Sequence, residues 1–338
     1  MKKLRSAIIG CGNIHVNHAK ALMNSDFGEL AAVVDINENR AKAAAEKYNC
    51  KYYLDYKEML KDNNIDVVHI CTPHFLHSTM AIDSIAAGKH ALVEKPVAVS
   101  VERAMEMIAA KDKYKKHLAV AFQNRYNNTS LKAKEIIEQG TLGKVRGLKA
   151  IVTWSRDKNY YLNDEWRGKW ETEGGGVLIN QAIHDLDLLQ WFGGPMDSIK
   201  GNADLRVLND VIEVEDTADA TIRFKSGAVG IFYATNCYSM NSSVLIEIHL
   251  EDGMLRIEEG ELFLIRDGAK TLLCSDTSSD STAKSYWGEG HRKMIKSFYE
   301  SIMNDDTKGY VTGEESIKSL QIIEGIYKSS LNKEIVLR

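Results

Sequence analysis

Gly10-Cys11-Gly12-Asn13-Ile14-His15 follows an apolar run at residues 4–9 and precedes a helix-like run that reaches about Asn24. The pattern is G-x-G-x-x-G with His15 in the third glycine's place. The first two glycines permit a tight turn and let the backbone approach a pyrophosphate, which then sits at a helix N-terminus. Alone, the motif has low specificity; its surroundings sharpen it. Residues 29–34 read as a second strand, and it ends in Asp35. A carboxylate there accepts hydrogen bonds from an adenosine ribose and repels a 2′-phosphate, so Asp35 favours NAD over NADP. Gly10, Gly12, Asn13, Ile14 and Asp35 are thus the first candidate cofactor contacts.

The alternation continues outward from this stretch. Asn37 and Asp55 stand where helix N-caps belong, and residues 65–70 form another apolar strand before Cys71-Thr72-Pro73-His74. Residues 78–87 are helical and end at Gly88. The next strand, residues 90–93, stops in Glu94-Lys95-Pro96. Proline cannot donate a ladder hydrogen bond, so the strand ends there, and Lys95–Pro96 has access to the cis form. Ligands of open parallel sheets bind outside the carboxyl ends of the strands. Thr72, Pro73, Glu94 and Lys95 therefore join the candidate site. Ser100 caps a helix to about Lys113, and residues 118–122 close the unit as a sixth strand. Strands alternating with helices predict a doubly wound parallel sheet, an α/β domain over residues 1–122. His69, His74 and His77 flank one strand end, but their spacing does not converge on one face and no metal is predicted. His77 is expected to touch the cofactor beside Thr72 and Pro73.

A chain of 338 residues is long for one core, so a second domain is expected, here residues 123–338. The net charge of −4 makes no electrostatic case for nucleic acid or an anionic membrane. Five scattered cysteines show no zinc spacing and read as reduced thiols of a cytoplasmic protein. The apolar run after the first basic residues is too short for a secretion leader, and no stretch has the length of a membrane span.

After a helix at 131–139 and a strand at 144–154, the pattern changes to an aromatic and basic loop with Arg156, Tyr160, Tyr161, Trp166, Arg167 and Trp170. Aromatic faces and guanidinium forks suit sugars and phosphates; a packed loop with surface arginines has the same composition. Arg125, Arg156, Trp166 and Arg167 are the candidate substrate contacts. Gly174-Gly175-Gly176 then let the backbone pass close to a ligand. A helix running on from them places Asn180 and His184 on one face, with Asp187 in reach of His184 as the carboxylate that orients a general base. From about residue 196 strands dominate, with turn signals at Lys225-Ser226-Gly227-Ala228 and Glu251-Asp252-Gly253. They predict an antiparallel sheet with one face polar or paired with another subunit. Residues 275–281 are polar and expected to be mobile. Residues 287–303 and 314–330 read as helices, the last returning to the first domain.

Taken together, Gly10-Cys11-Gly12, Asp35, Thr72-Pro73, Glu94-Lys95-Pro96 and the glycine run through His184 resemble the glucose–fructose oxidoreductase/inositol dehydrogenase family, Gfo/Idh/MocA. The resemblance covers nearly the whole chain. It implies a Rossmann domain, a second α/β domain with a large, mainly antiparallel sheet, a tightly held NAD(P), and hydride transfer on sugars, cyclitols or related alcohols. It also implies a homodimer or homotetramer formed through the C-terminal sheet. By position, Lys95 is the catalytic lysine and His184 the histidine facing the reacting carbon. Asn180 stands where many members carry aspartate. An amide cannot take a proton at neutral pH, so Asn180 would position substrate while Lys95 and His184 carry the acid–base work. The run Phe122-Gln123-Asn124-Arg125-Tyr126 and the Asn-Gln-x-x-His segment resemble members that act on nucleotide-linked amino sugars. Two other readings stay open: an NAD-dependent glycosidase with internal redox cycling, and a non-enzymatic cofactor-binding regulator. The intact Lys95 and His184 weigh against the second.

Overall fold

The computed structural model describes residues 3–23, 25–276 and 289–331. The chain forms two compact units, Met1–Gln123 with Gly290–Ile317, and Asn124–Glu289 with Lys318–Arg338.

In the first unit the elements run β1 (Leu4–Ile9), α1 (His15–Leu22), β2 (Gly28–Val34), α2 (Glu38–Tyr48), β3 (Lys51–Tyr53), α3 (Tyr56–Leu60), β4 (Val67–Ile70), α4 (His77–Ala86), β5 (His90–Val93), α5 (Val101–Tyr114) and β6 (Leu118–Val120). All six strands pair in parallel in the order β3-β2-β1-β4-β5-β6. The three-residue β3 has no apolar run of its own and was not assignable from sequence. β4 is buried along its whole length and β5 along its last three residues, as in a sheet covered on both faces. The expected caps are in place: Asn37 accepts from the Arg40 amide, Asp55 from Lys57 and Ser100 from Arg103. Strand order reverses at β1, whose neighbours are β2 and β4. The carboxyl ends of these three strands carry Gly10, Asp35 and Thr72, around the crevice where such sheets bind ligands.

In the second unit the elements are α6 (Asn128–Gln139), β7 (Val145–Thr153), α7 (Lys158–Leu162), α8 (Ile183–Gly193), β8 (Met196–Asp204), β9 (Thr217–Phe224), β10 (Val229–Thr235), β11 (Leu245–Leu250), β12 (Gly253–Glu258), β13 (Glu261–Arg266) and β14 (Ala269–Ser275). They build an eight-stranded sheet, β14-β13-β12-β11-β7-β10-β9-β8. Only the central β7–β10 pair is parallel; the rest is antiparallel. Two helices follow, α9 (Gly290–Asn304) and α10 (Gly313–Leu331).

Three expectations need revision here. The chain does not stay in the second unit after residue 123: α9 belongs to the first, and α10 leaves it after Ile317. The helix that returns to the Rossmann unit as a whole is thus α9 rather than the last one. The loop at 156–170 is not wholly irregular, because Asp157 caps the short α7 by accepting from the Tyr160 amide. Residues 277–281 of the expected mobile segment, Trp287 and residue 288 of the expected helix, and Asn24 lie outside the described residues.

Candidate active site

In the first unit, β1 delivers the chain into Gly10, whose φ of 95° and closeness to β4 both demand glycine. A Cβ there would lie 2.5 Å from the Cys71 carbonyl oxygen. At Gly12 a Cβ would meet nothing within 4 Å, so the second glycine borders open space. Asp35 is buried at the end of β2, and its Oδ2 accepts from the Cys11 amide at 2.9 Å. Its Oδ1 takes the Asn37 amide at 2.8 Å and the half-exposed Arg40 guanidinium at 3.1 Å. Asp35 therefore holds the glycine loop in shape while presenting negative charge beside it. Asn13 and Ile14 sit in the turn that enters α1, with Ile14 at its N-cap. These residues fit an adenine dinucleotide: a glycine turn, open space beside it, a helix start and an acid at the second strand's end.

At the ends of β4 and β5, Thr72-Pro73 and Glu94-Lys95-Pro96 lie side by side through the parallel pairing of their strands. The Lys95–Pro96 bond is cis. Glu94 is buried; its Oε2 accepts from the Lys95 amide at 3.2 Å and its Oε1 from His18 Nε2 at 2.9 Å. Burial opposes its charge, but its contacts with His18 and His291 hold its carboxyl well below the usual range. His77 corrects an expectation. It is fully buried, with Nδ1 2.7 Å from the Pro96 carbonyl and Nε2 2.9 Å from the Thr72 carbonyl. Both ring nitrogens are engaged on the backbone, so His77 ties the two strand ends together instead of reaching a cofactor.

In the second unit, the glycine run does not continue into a helix. The Asn180 amide bonds back to Gly176 and the Ala182 amide to Val177, a wound turn, and α8 begins only at Ile183. Asn180 and His184 are therefore not one face of one helix: Asn180 lies in the turn and His184 in the first turn of α8. The glycines serve close packing. A Cβ at Gly176 would lie 1.9 Å from the Glu215 carbonyl oxygen, and one at Gly175 2.2 Å from the Tyr327 hydroxyl. The buried Glu215 carboxylate accepts from the Gly176 and Leu178 amides at 2.9 and 3.0 Å and from Tyr327 Oη at 3.0 Å. Burial nevertheless pushes it up to about 7. Asn180 Nδ2 donates to the buried Glu173, which also takes the Gly168 amide.

Arg125 and Asp187 form the second correction. Arg125 is buried, its Nε and one terminal nitrogen bonding the two Asp187 oxygens at 2.7 and 2.8 Å, with the guanidinium 5.3 Å from the Trp191 ring centre. Asp187 also accepts from Ser319 at 3.2 Å. A bidentate pair of this kind is charge-assisted and geometrically specific. It takes up one edge of the Arg125 guanidinium, and Asp187 is committed to Arg125 and Ser319 rather than to orienting His184. The loop side chains do assemble. Arg167 lies 4.5 Å from the ring centres of both Tyr160 and Trp166 and donates to Asp164 and the Tyr160 hydroxyl. Arg156 stacks over Trp154 and Tyr160. Gln181 links Tyr160 to the buried Asn236, which also donates to Tyr161. Gln181 entered the sequence reading only as part of the Asn-Gln-x-x-His segment, and Glu173, Glu215, Asn236 and Tyr327 were not singled out. Only Glu173, directly before the glycines, had a local signal.

The N-terminal residues 4–122 match the profile of an oxidoreductase family with an NAD-binding Rossmann fold, and residues 130–256 match that family's GFO/IDH/MocA C-terminal domain. The chain belongs to the Gfo/Idh/MocA oxidoreductases. This Gfo/Idh/MocA protein is 26% identical to myo-inositol 2-dehydrogenase of Thermotoga maritima, over 98% of both chains. It is 30% identical to levoglucosan dehydrogenase of Pseudarthrobacter phenanthrenivorans, over 75% of this chain and 73% of that one. Among solved structures it resembles the WlbA dehydrogenase of Chromobacterium violaceum in complex with NADH and UDP-GlcNAcA: 32% identity, TM-score 0.87, 98% of this chain and 95% of the other. In line with the dehydrogenases it is similar to, it is an NAD-dependent dehydrogenase acting on CH–OH groups. Among the described residues, no helix is long and apolar enough to cross a membrane.

Proposed function

We propose that this oxidoreductase moves hydride between NAD and a hydroxyl-bearing carbon of a nucleotide-linked amino sugar. The observation that carries this reading is the near full-length similarity, at 32% identity, to a dehydrogenase whose structure holds NADH and UDP-GlcNAcA. The stacked Arg156, Arg167, Tyr160 and Trp166 support it, since flat rings and guanidinium planes suit a base, a sugar and a diphosphate. Gly10, Gly12, Asn13, Ile14, Asp35, Thr72, Pro73, Glu94 and Lys95 would hold NAD, which supplies the hydride acceptor when bound.

The residues divide the remaining work. Lys95 takes the hydroxyl proton as the carbon–hydrogen bond breaks, and its ammonium form stabilises developing alkoxide charge. Glu94 fixes the backbone of Lys95 through its amide. His184 shares the acid–base role at the reacting carbon, and Asn180, steered by Glu173, positions substrate. Arg156, Trp166 and Arg167 bind the distal part of the substrate, while Arg125 leaves this set. We further infer a homodimer or homotetramer through the second sheet: Ile231 and Leu272 stand 57% and 50% exposed on β10 and β14. Five unpaired cysteines support a reducing, cytoplasmic setting.

The test follows nicotinamide absorbance with free sugars, inositols, UDP-linked amino sugars and the corresponding uronic acids. NADH formation confined to the UDP-linked compounds is expected. Turnover of free inositols or anhydrosugars alone would overturn the substrate class. Silence towards the whole panel, with NAD bound, would overturn the dehydrogenase reading in favour of an internally cycling glycosidase or a sensor.

A further inference from the structure

His18 on α1, Glu94 beyond β5 and His291 on α9 meet inside the first unit, brought from distant parts of the sequence. His18 Nε2 lies 2.9 Å and His291 Nε2 3.6 Å from the same oxygen, Glu94 Oε1. The three ligand atoms fall within 4.8 Å of one another, and all three residues are buried. The His291 nitrogen has no hydrogen-bond partner among the described residues. At 3.6 Å from Glu94 it is too far for one, yet it points at the carboxylate from within the core. Buried polar atoms in this position are normally satisfied by a partner, a water or an ion.

Zinc bonds to imidazole nitrogen and carboxylate oxygen are about 2.0–2.2 Å, which sets tetrahedral ligand atoms roughly 3.4 Å apart. The observed 2.9 and 3.6 Å bracket that separation. Two imidazoles and one carboxylate suit zinc-like ions better than magnesium or calcium, which take oxygen ligands. We propose that His18, Glu94 and His291 form a divalent transition-metal site of the zinc class, with its fourth position left to water.

The surroundings are those of a supported metal ligand. His18 Nδ1 is 2.8 Å from His69 Nδ1, His69 Nε2 is 2.8 Å from Tyr299 Oη, and Tyr299 bonds Ser6. Metal-bound histidines are oriented in this way by a partner on the second ring nitrogen. The chain can run in either direction. Without metal, Ser6, Tyr299, His69 and His18 each donate towards Glu94. With metal on His18 Nε2, His18 donates to His69, His69 to Tyr299 and Tyr299 to Ser6. Two histidines exchange tautomers and two hydroxyls rotate, with no change in the number of protons on the chain. Burial keeps His18 and His69 neutral, the form a ligand needs. Occupancy would tie α1 and α9 to the strand end that carries Lys95, because the other Glu94 oxygen holds the Lys95 amide.

The test uses the full-length protein, treated with EDTA and desalted, and titrates it with cobalt chloride. One equivalent is expected to bring up the visible d–d bands of a tetrahedral Co2+ site, and zinc chloride to bleach them. His18→Ala and His291→Ala should both lose the bands. His249→Ala, an exposed histidine beside Glu247, should keep them. If His18→Ala does not fold, His291→Ala and the wild-type titration decide. Absence of bands in the wild type, or their survival in His291→Ala, would overturn the site and leave these residues a proton-linked cluster only.

Discussion

Replacing Arg125 with methionine separates a structural arginine from a substrate-binding one. The Arg125 and Asp187 side chains are 6% and 1% exposed, and two hydrogen bonds of 2.7 and 2.8 Å join them. Methionine fills much of the arginine's volume but leaves Asp187 as a buried carboxylate with Ser319 as a remaining donor. Breaking a buried pair from one side costs roughly 3–5 kcal/mol. At about 2–4 °C per kcal/mol for a unit of this size, Tm should fall by roughly 6–20 °C. Removing both charges, as Arg125→Met with Asp187→Leu, should recover most of that loss, since the stranded charge is what destabilises. The assay is thermal melting of the two single variants and the double variant, with KM measured well below each Tm. A melting temperature within about 2 °C of wild type, together with a KM raised about tenfold, would refute the reasoning and return Arg125 to the substrate site.

Lys95→Ala should lower kcat by about 100-fold or more, the range of a lost acid–base group, a loss larger than any weakening of NAD binding measured by fluorescence of bound NADH; retained turnover would remove Lys95 from the mechanism. Asp35→Ala removes the acceptor of the Cys11 amide and the charge that repels a 2′-phosphate, so KM for NAD should rise and the ratio of NAD to NADP efficiency should fall; an unchanged ratio would place discrimination elsewhere. Burial raises Glu215 and Asp185 from their ordinary ranges to about 7 each. The native state then binds more protons than the unfolded chain between pH about 4 and 7, so this contribution is complete at acid pH and lost as pH rises through 7. Melting curves of wild type and Glu215→Gln across pH 5–8 should show the steeper decline in wild type; parallel curves would refute the assignment.

Much of the fold could be read along the chain because its signals are local. Strand, glycine turn, helix and strand ending in Asp35 lie within one continuous stretch, and the strand stop at Pro96 is a backbone property of proline. Alternating periods near 2 and 3.6 residues separated the parallel unit from the mainly antiparallel one. The strand ends were legible for the same reason: Gly10, Asp35 and Lys95 lie just beyond strands whose place in a doubly wound sheet follows from topology alone.

What only the tertiary structure decided was the partner of each polar side chain. A four-residue spacing placed Asn180 and His184 on one helix face, but the close packing of Gly175 and Gly176 against Tyr327 and Glu215 winds the chain into a turn first. Arg125 and Asp187 looked like separate functional residues, and across 62 positions they cancel one another's charge in the core. His77 was drawn off to two carbonyls, while His18 and His291, unremarkable in sequence, converge on Glu94. Backbone propensity and hydrophobic period are written over a few residues. A buried charge is tolerated only where its counter-charge arrives, and that is set by distant segments packing together.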